Sequence, residues 1–231
     1  MQIQKTLITR HVRKYDDVPE RLLNFLKRKF THLLTRDYGY RIPNDDECKR
    51  FGQITDFYAR LRAACLTDRD KTEIDNWGDI TVTDKQFQQP RGLFLYGTCG
   101  TGKTFTAAVL AAELKVDFFD VNELNSKYMR KDGDDWFYDF SRDHCKNPII
   151  IDDLGAERNV RKYGSESIIS DLISVRSKYF DWFGTPTIFT SNFSSRDEIK
   201  ERYGDRIESR ISGMCEYILI GGDDKRKAVT K

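Results

Sequence analysis

Gly97-Thr98-Cys99-Gly100-Thr101-Gly102-Lys103-Thr104 has the spacing G-x-x-x-x-G-K-[ST], a set of residues that can hold phosphate. Glycines at such positions let the backbone curl until successive N–H groups converge on an anion. A helix starting directly behind the loop adds the positive end of its dipole. Lys103 would reach the β- and γ-phosphates and the Thr104 hydroxyl would ligate Mg²⁺, with Phe105 directly behind them counted among the cofactor-binding residues. The ligand this chemistry suits is a nucleoside triphosphate, with Mg²⁺ as its companion ion.

A second set of side chains supplies what the loop lacks. The apolar run Ile149-Ile150-Ile151 delivers Asp152 and Asp153 at its C-terminal end, where open α/β sheets bind their ligands. Asp152 would hold Mg²⁺ through its water shell, and Asp153 is placed to orient or deprotonate an attacking water. Thr190-Ser191-Asn192 ends another strand. The Asn192 amide there could reach toward the γ-phosphate, though Ser-Asn after a strand is also ordinary turn chemistry. Arg206 and Arg210 stand four apart on an expected helix and so share a face. That pair suits a surface salt bridge about as well as a phosphate-sensing finger.

The elements that must position these groups are legible around them. Gly92-Leu93-Phe94-Leu95-Tyr96 reads as a buried parallel strand before the loop, and residues 105–114 as a strong helix behind it. Further strands are expected at 116–120, 148–152, 186–190 and 216–220, with helices from about 121 and over 164–181. Such alternation predicts an α/β fold, a parallel sheet between two helical layers. Residues 1–66 read as mainly helical instead. Asp16 or Asp17 can cap a helix with Pro19 in its first turn, and Leu22, Leu23, Leu26, Phe30, Leu33 and Leu34 fall on one face. Asn44 with Glu47 gives a capping-box-like start to a second helix, striped by Phe51, Ile54, Tyr58, Leu61 and Cys65. The two stripes pack on each other or on the main domain, or else dock on a partner. The charged stretch 67–73 is the linker candidate. Two units are expected: 1–76, a helical partner-binding segment, and 77–231, the catalytic domain.

Bulk properties exclude several classes. A net charge of +2 over 231 residues does not by itself announce a nucleic-acid binder, but residues 1–40 alone carry an excess of +5. That excess is either a solvated helix face or a contact surface. The five cysteines are scattered, with no C-x-x-C pair, which argues against a disulfide framework or a zinc site and fits a reducing cytoplasm. No apolar run approaches membrane-spanning length, so no membrane partner is expected.

Taken in order, Arg91-Gly92-Leu93-Phe94-Leu95-Tyr96-Gly97, Ile151-Asp152-Asp153-Leu154-Gly155, Phe189-Thr190-Ser191-Asn192 and Tyr203-Gly204-Asp205-Arg206-Ile207-Glu208-Ser209-Arg210-Ile211 resemble the AAA+ ATPases. Within these the chain resembles the helicase-loader group typified by DnaC and DnaI, with the transposition helper IstB as close kin. The resemblance spans roughly residues 88–220. It implies an AAA+ three-layer αβα domain in which Asn192 is the sensor that positions water. Arg210, with Arg206 as second choice, would be the arginine finger inserted into a neighbouring subunit's site, which requires self-association with ATP. The partners it implies are a hexameric replicative helicase, held by the N-terminal segment, and single-stranded DNA.

The sequence also departs from the family pattern. Asp153 stands where many AAA+ proteins carry Glu, which predicts slow hydrolysis stimulated by a partner or DNA. Only about forty residues follow Asn192, too few for the usual multi-helix lid, so a reduced lid is expected and no lid arginine is assigned. Between Lys127 and Lys146, aromatic and basic residues mingle (Tyr128, Arg130, Lys131, Trp136, Phe137, Tyr138, Phe140, Arg142), as in single-strand binders. Five aspartates in the same stretch favour core packing for most of these aromatics. Two other functions compete with helicase loading: an IstB-like helper that binds DNA and recruits a transposase, and a small-molecule kinase. The second carboxylate, Asn192 and the paired arginines argue against the kinase.

Overall fold

Among the described residues, five parallel strands form one sheet in the order β2-β3-β4-β1-β5, with β1 in the interior and the phosphate loop at its C-terminal end. The computed structural model describes residues 18–39, 45–65, 89–130, 132–157, 168–222 and 224. In chain order the elements are α1 (Glu20–Arg36), α2 (Asp45–Ala64), β1 (Gly92–Tyr96), α3 (Lys103–Leu114), β2 (Asp117–Asp120), α4 (Val121–Tyr128) and α5 (Gly133–Asp143). They continue as β3 (Ile149–Leu154), α6 (Ile168–Phe183), β4 (Thr187–Ser191), α7 (Arg196–Tyr203), α8 (Asp205–Met214) and β5 (Cys215–Leu219). The linker expected at 67–73, the boundary at 76/77, the caps at Asp16, Asp17 and Asn44, and Lys131 lie outside the described residues.

Strands covered on both faces must be apolar on both faces, and the side chains sort accordingly. Phe94, Ile149, Ile151 and Phe189 point to one side and pack with Val121, Leu124, Ile169, Ile173 and Ile211 from α4, α6 and α8. Leu93, Leu95, Ile150, Ile188 and Ile218 point to the other, against Ala107, Val109 and Leu110 of α3. Phe30 and Leu34 of α1 and Ile54, Phe57, Tyr58 and Leu61 of α2 join that second cluster. The N-terminal helices therefore supply part of a layer of the sandwich. They also pack on each other through Leu22, Leu23, Leu26, Ala59 and Ala63, and the rings of Phe30 and Tyr58 stack at 3.9 Å. Burying one such large side chain stabilises the fold by about 1.5–3 kcal/mol.

Several local expectations shift. Pro19 stands at the N-cap of α1 with no capping side chain, so its fixed φ starts the helix from outside its first turn. Cys65 is exposed past the end of α2 rather than part of its buried stripe. Strand β3 runs to Leu154, so both aspartates belong to it. Of the aromatics between 127 and 146, Phe140 is buried and Tyr128, Trp136 and Phe137 pack against the core, while Tyr138 is exposed.

Arg176 of α6 fixes the other end of the sheet. It is fully buried and donates to Thr187 Oγ1 (2.8 Å) and to the carbonyls of His144 (2.6 Å), Asn147 (3.2 Å) and Pro186 (3.0 Å). Burial lowers its pKa to about 10. These bonds pin the approach to β3 and the start of β4, the two strands that carry the acidic and amide groups at their far ends.

Candidate nucleotide site

The loop after β1 takes the shape its glycines allow. Gly97, Gly100 and Gly102 have φ of +136°, +79° and +97°, left-handed values that burden any residue with a Cβ. A side chain at Gly97 would also collide with the Ile220 carbonyl, because the chain leaving β5 runs beside the loop and Ile220 N–H bonds to Tyr96 O at 2.7 Å. Gly102 is the N-cap of α3 and no side chain caps that helix, so its first-turn N–H groups face the loop as an anion site. Thr101 is buried, its hydroxyl donating to Thr98 O (3.0 Å), while Thr98 and Cys99 are exposed. Lys103 is only 6% exposed and donates Nζ to the carbonyls of Gly97 (2.9 Å) and Thr98 (2.7 Å). Thr104 is exposed beside it, and Phe105, 43% exposed, meets the ring of Tyr38 edge-on at 6.3 Å.

The acidic half is built by β3 and β4. Asp152 is 6% exposed, and Thr190 donates its hydroxyl to Asp152 Oδ1 at 2.5 Å. The same Thr190 oxygen accepts the Asp153 N–H at 2.9 Å. Asn192 donates Nδ2 to Asp153 Oδ1 at 2.7 Å. The register of β3 on β4 shifts between Ile151 and Leu154, and Asp153 there adopts φ +62°. Such a conformation costs a non-glycine residue about 1–2 kcal/mol. It turns the second carboxylate away from the alternation of the strand. Burial raises the Asp153 pKa, the neighbouring charges of Asp152 and Asp120 add to this, the Lys103 ammonium opposes it, and Glu157 raises it further. Asp120 pairs with Asp152 in register at the end of β2, and its own carboxylate caps α4 through Asn122 N–H (2.8 Å) and Glu123 N–H (3.1 Å).

The two arginines differ in setting although both lie on α8. Arg206 is exposed and in no ion pair among the described residues, whereas Arg210 is half-buried and donates to Ser174 Oγ of α6. Thr190 belongs to the Thr-Ser-Asn triplet, but nothing in the sequence marks it as the partner of both aspartates. Glu157 carries no motif signal either, and its buried carboxylate becomes recognisable only once α7 packs beside it.

No group of three or more His, Cys, Asp or Glu side chains that could cage a metal ion occurs among the described residues. Thr104 and Asp152 are hard oxygen donors, and with phosphate oxygens and water they make the type of set Mg²⁺ accepts. The donor chemistry therefore fits that ion bound with nucleotide.

Comparison with known proteins bears on the family and the fold. The family model described as "ATPase family associated with various cellular activities (AAA)" matches residues 93–212. The replicative helicase loader DnaI of Bacillus subtilis (strain 168) is 27% identical over 140 residues, covering 56% of this chain. The chain spans 43% of that relative's length. A solved DnaI structure superposes with a TM-score of 0.56 at 22% identity, covering 79% of this chain and 88% of that one. A solved DnaC helicase loader superposes with a TM-score of 0.51 at 19% identity, covering 88% and 100%. With its phosphate loop, paired aspartates and five-stranded parallel sheet, the chain belongs to the AAA family of ATPases; it is similar over 140 residues to the helicase loader DnaI and shares its fold with the solved DnaC structure.

Proposed function

We propose that this chain hydrolyses ATP in order to place a hexameric replicative helicase on single-stranded DNA. The observation that carries the hydrolytic part is the meeting of Asp152, Asp153, Thr190 and Asn192 at the strand ends that also present the phosphate loop. Thr104 and Asp152 would hold Mg²⁺, which when bound neutralises the phosphate charge. Lys103 turns from the loop carbonyls to the phosphates, and Asp153, steered by Asn192, orients the attacking water. Turnover is slow until subunits associate, because the remaining charge, an arginine on α8, acts from a neighbouring copy.

The loader part is supported by the local likeness to DnaI and by α1. While Leu22, Leu26 and Phe30 face inward, Arg21, Arg28, Lys29 and Arg36 are exposed, with Glu20 the acid on that helix. A basic face of this kind suits an acidic surface on the helicase. Removing residues 1–76 would strip core side chains from the sheet, so the segment is tested by substitution and not by truncation. The full chain with ATP should capture the replicative helicase of its own cell. Arg28→Glu with Lys29→Glu should abolish capture while leaving nucleotide binding intact. Failure to bind the helicase under any nucleotide condition would overturn the loader reading, and capture of a transposase would place the same ATPase in transposition.

A further inference from the structure

Asp153 keeps its left-handed backbone only because its surroundings hold it there. Beside the Asn192 bond to its carboxylate, four hydrogen bonds to the backbone of residues 153–155 do so. Thr190 Oγ1 accepts the Asp153 N–H at 2.9 Å, and Ser191 donates Oγ to Leu154 O at 2.6 Å, both from β4. Ala156 N–H closes the turn onto Asp153 O at 3.0 Å. The fourth runs from Gly155 N–H to Glu157 Oε2 at 2.9 Å, and it alone leads out of the two strands. Glu157 Oε1 accepts the Tyr203 hydroxyl at 2.5 Å and faces Arg202 Nη2 at 3.5 Å, while Arg202 also donates to the Glu157 carbonyl at 2.6 Å. The ring of Phe193 covers Gly155, where a Cβ would strike it, and meets Tyr203 edge-on at 6.2 Å.

Arg202 and Tyr203 are the last residues of α7. Gly204, at φ +85°, then turns the chain directly into α8, which carries Arg206 and Arg210. A carboxylate only 4% exposed is a poor device for stability alone, since well-packed apolar residues commonly do as well. What it adds is a directed link between the carboxylate that orients water in this subunit's own site and the helix whose arginine acts on the neighbouring subunit's nucleotide.

We propose that Glu157, braced by Arg202 and Tyr203, is a positioning residue for hydrolysis: it locks the turn from Asp153 to Glu157 onto the α7–α8 corner, so that the water-orienting carboxylate and the arginine-bearing helix move as one unit. The inference rests on the reading of Asp153 as the residue that orients water.

The test uses the full chain with Tyr203→Phe, which removes one hydroxyl and keeps the ring against Phe193, and with Glu157→Gln. Hydrolysis at saturating ATP, the dissociation constant of a fluorescent ATP analogue and the melting temperature are measured for each. Tyr203→Phe should lower the saturated rate by about tenfold or more, as small misplacements of reacting groups do, with nucleotide affinity within about twofold of wild type. Should Glu157→Gln fail to fold, Tyr203→Phe carries the result alone. A wild-type rate per folded molecule with only a lower melting temperature would reduce the latch to a structural brace. Weaker nucleotide binding with an unchanged saturated rate would also overturn the proposal. Asp153→Asn separates the two readings: if it hydrolyses ATP normally, the water-orienting assignment fails, whereas if it is inactive and Tyr203→Phe is not slowed, the latch alone fails.

Discussion

Asn192 and Asp153, thirty-nine residues apart in the chain, are joined at 2.7 Å by a hydrogen bond from the amide to the carboxylate. The bond ties the end of β4 to the end of β3, beside the strand whose end carries the phosphate loop, where the proposed mechanism orients its water. Asn192→Ala should therefore bind ATP with near wild-type affinity and hydrolyse it about 10²-fold more slowly. Lys103→Ala should lose binding itself. Equilibrium titration with a fluorescent ATP analogue, beside phosphate release at saturation, separates the two effects.

Thr190 serves both aspartates, donating to Asp152 and accepting from the Asp153 N–H. Thr190→Val keeps the shape and removes both bonds, leaving a buried amide and a buried carboxylate without that partner. A loss of about 1–3 kcal/mol in unfolding free energy is expected from denaturant titration. The Mg²⁺ concentration needed for half-maximal hydrolysis should rise, since Asp152 would lose the hydroxyl that orients it.

If an arginine of α8 acts between subunits, as proposed above, what each candidate already touches favours Arg206 over Arg210. Arg210 is engaged with Ser174 inside its own chain, and Arg206 is exposed. Arg206→Ala should leave nucleotide binding and melting temperature unchanged but reduce hydrolysis by the assembled protein about 10³-fold. Arg210→Ala should instead lower the melting temperature. Mixing Arg206→Ala with Asp153→Asn subunits should restore part of the activity, because one kind supplies the arginine and the other the intact site. No recovery at any ratio would count against action between subunits.

Asp56 of α2 holds Lys27 of α1 at 2.5 Å and Arg60 at 2.7 Å. Burial pushes its pKa up, but the hydrogen bonds and charges of Lys27 and Arg60 outweigh this and hold it below the usual carboxylate range. A depressed folded-state pKa means stability that is fully present above the unfolded value, about 3.9, and is lost as pH falls through the folded one. Asp56→Asn should cost about 0.5–1 kcal/mol at pH 7. The gap in melting temperature from wild type should close in acid, as a pH series of thermal melts would show.

Much of the fold was legible because parallel strands buried on both faces leave unbroken apolar runs, as in Leu93-Phe94-Leu95 and Ile149-Ile150-Ile151. The phosphate loop was legible for a similar reason: its chemistry is local, and only glycine tolerates its backbone angles. Boundaries were less so. Strand β3 was expected to stop at Asp152, but pairing with β4 carries it through a register shift to Leu154, and no propensity of the aspartates encodes that shift.

By itself the sequence determined the α/β class and marked the glycine loop, the carboxylate pair and the amide after β4 as the candidate site, since each is carried by residues adjacent in the chain. Only the tertiary structure decided that the N-terminal helices complete a layer of the sheet, that Thr190 joins both aspartates, and that Arg206 is exposed while Arg210 is engaged. It also decided that Glu157 meets Arg202 and Tyr203 across forty-five and forty-six residues. Such contacts depend on how strands cross over and helices pack, so the identities of the residues alone could not announce them.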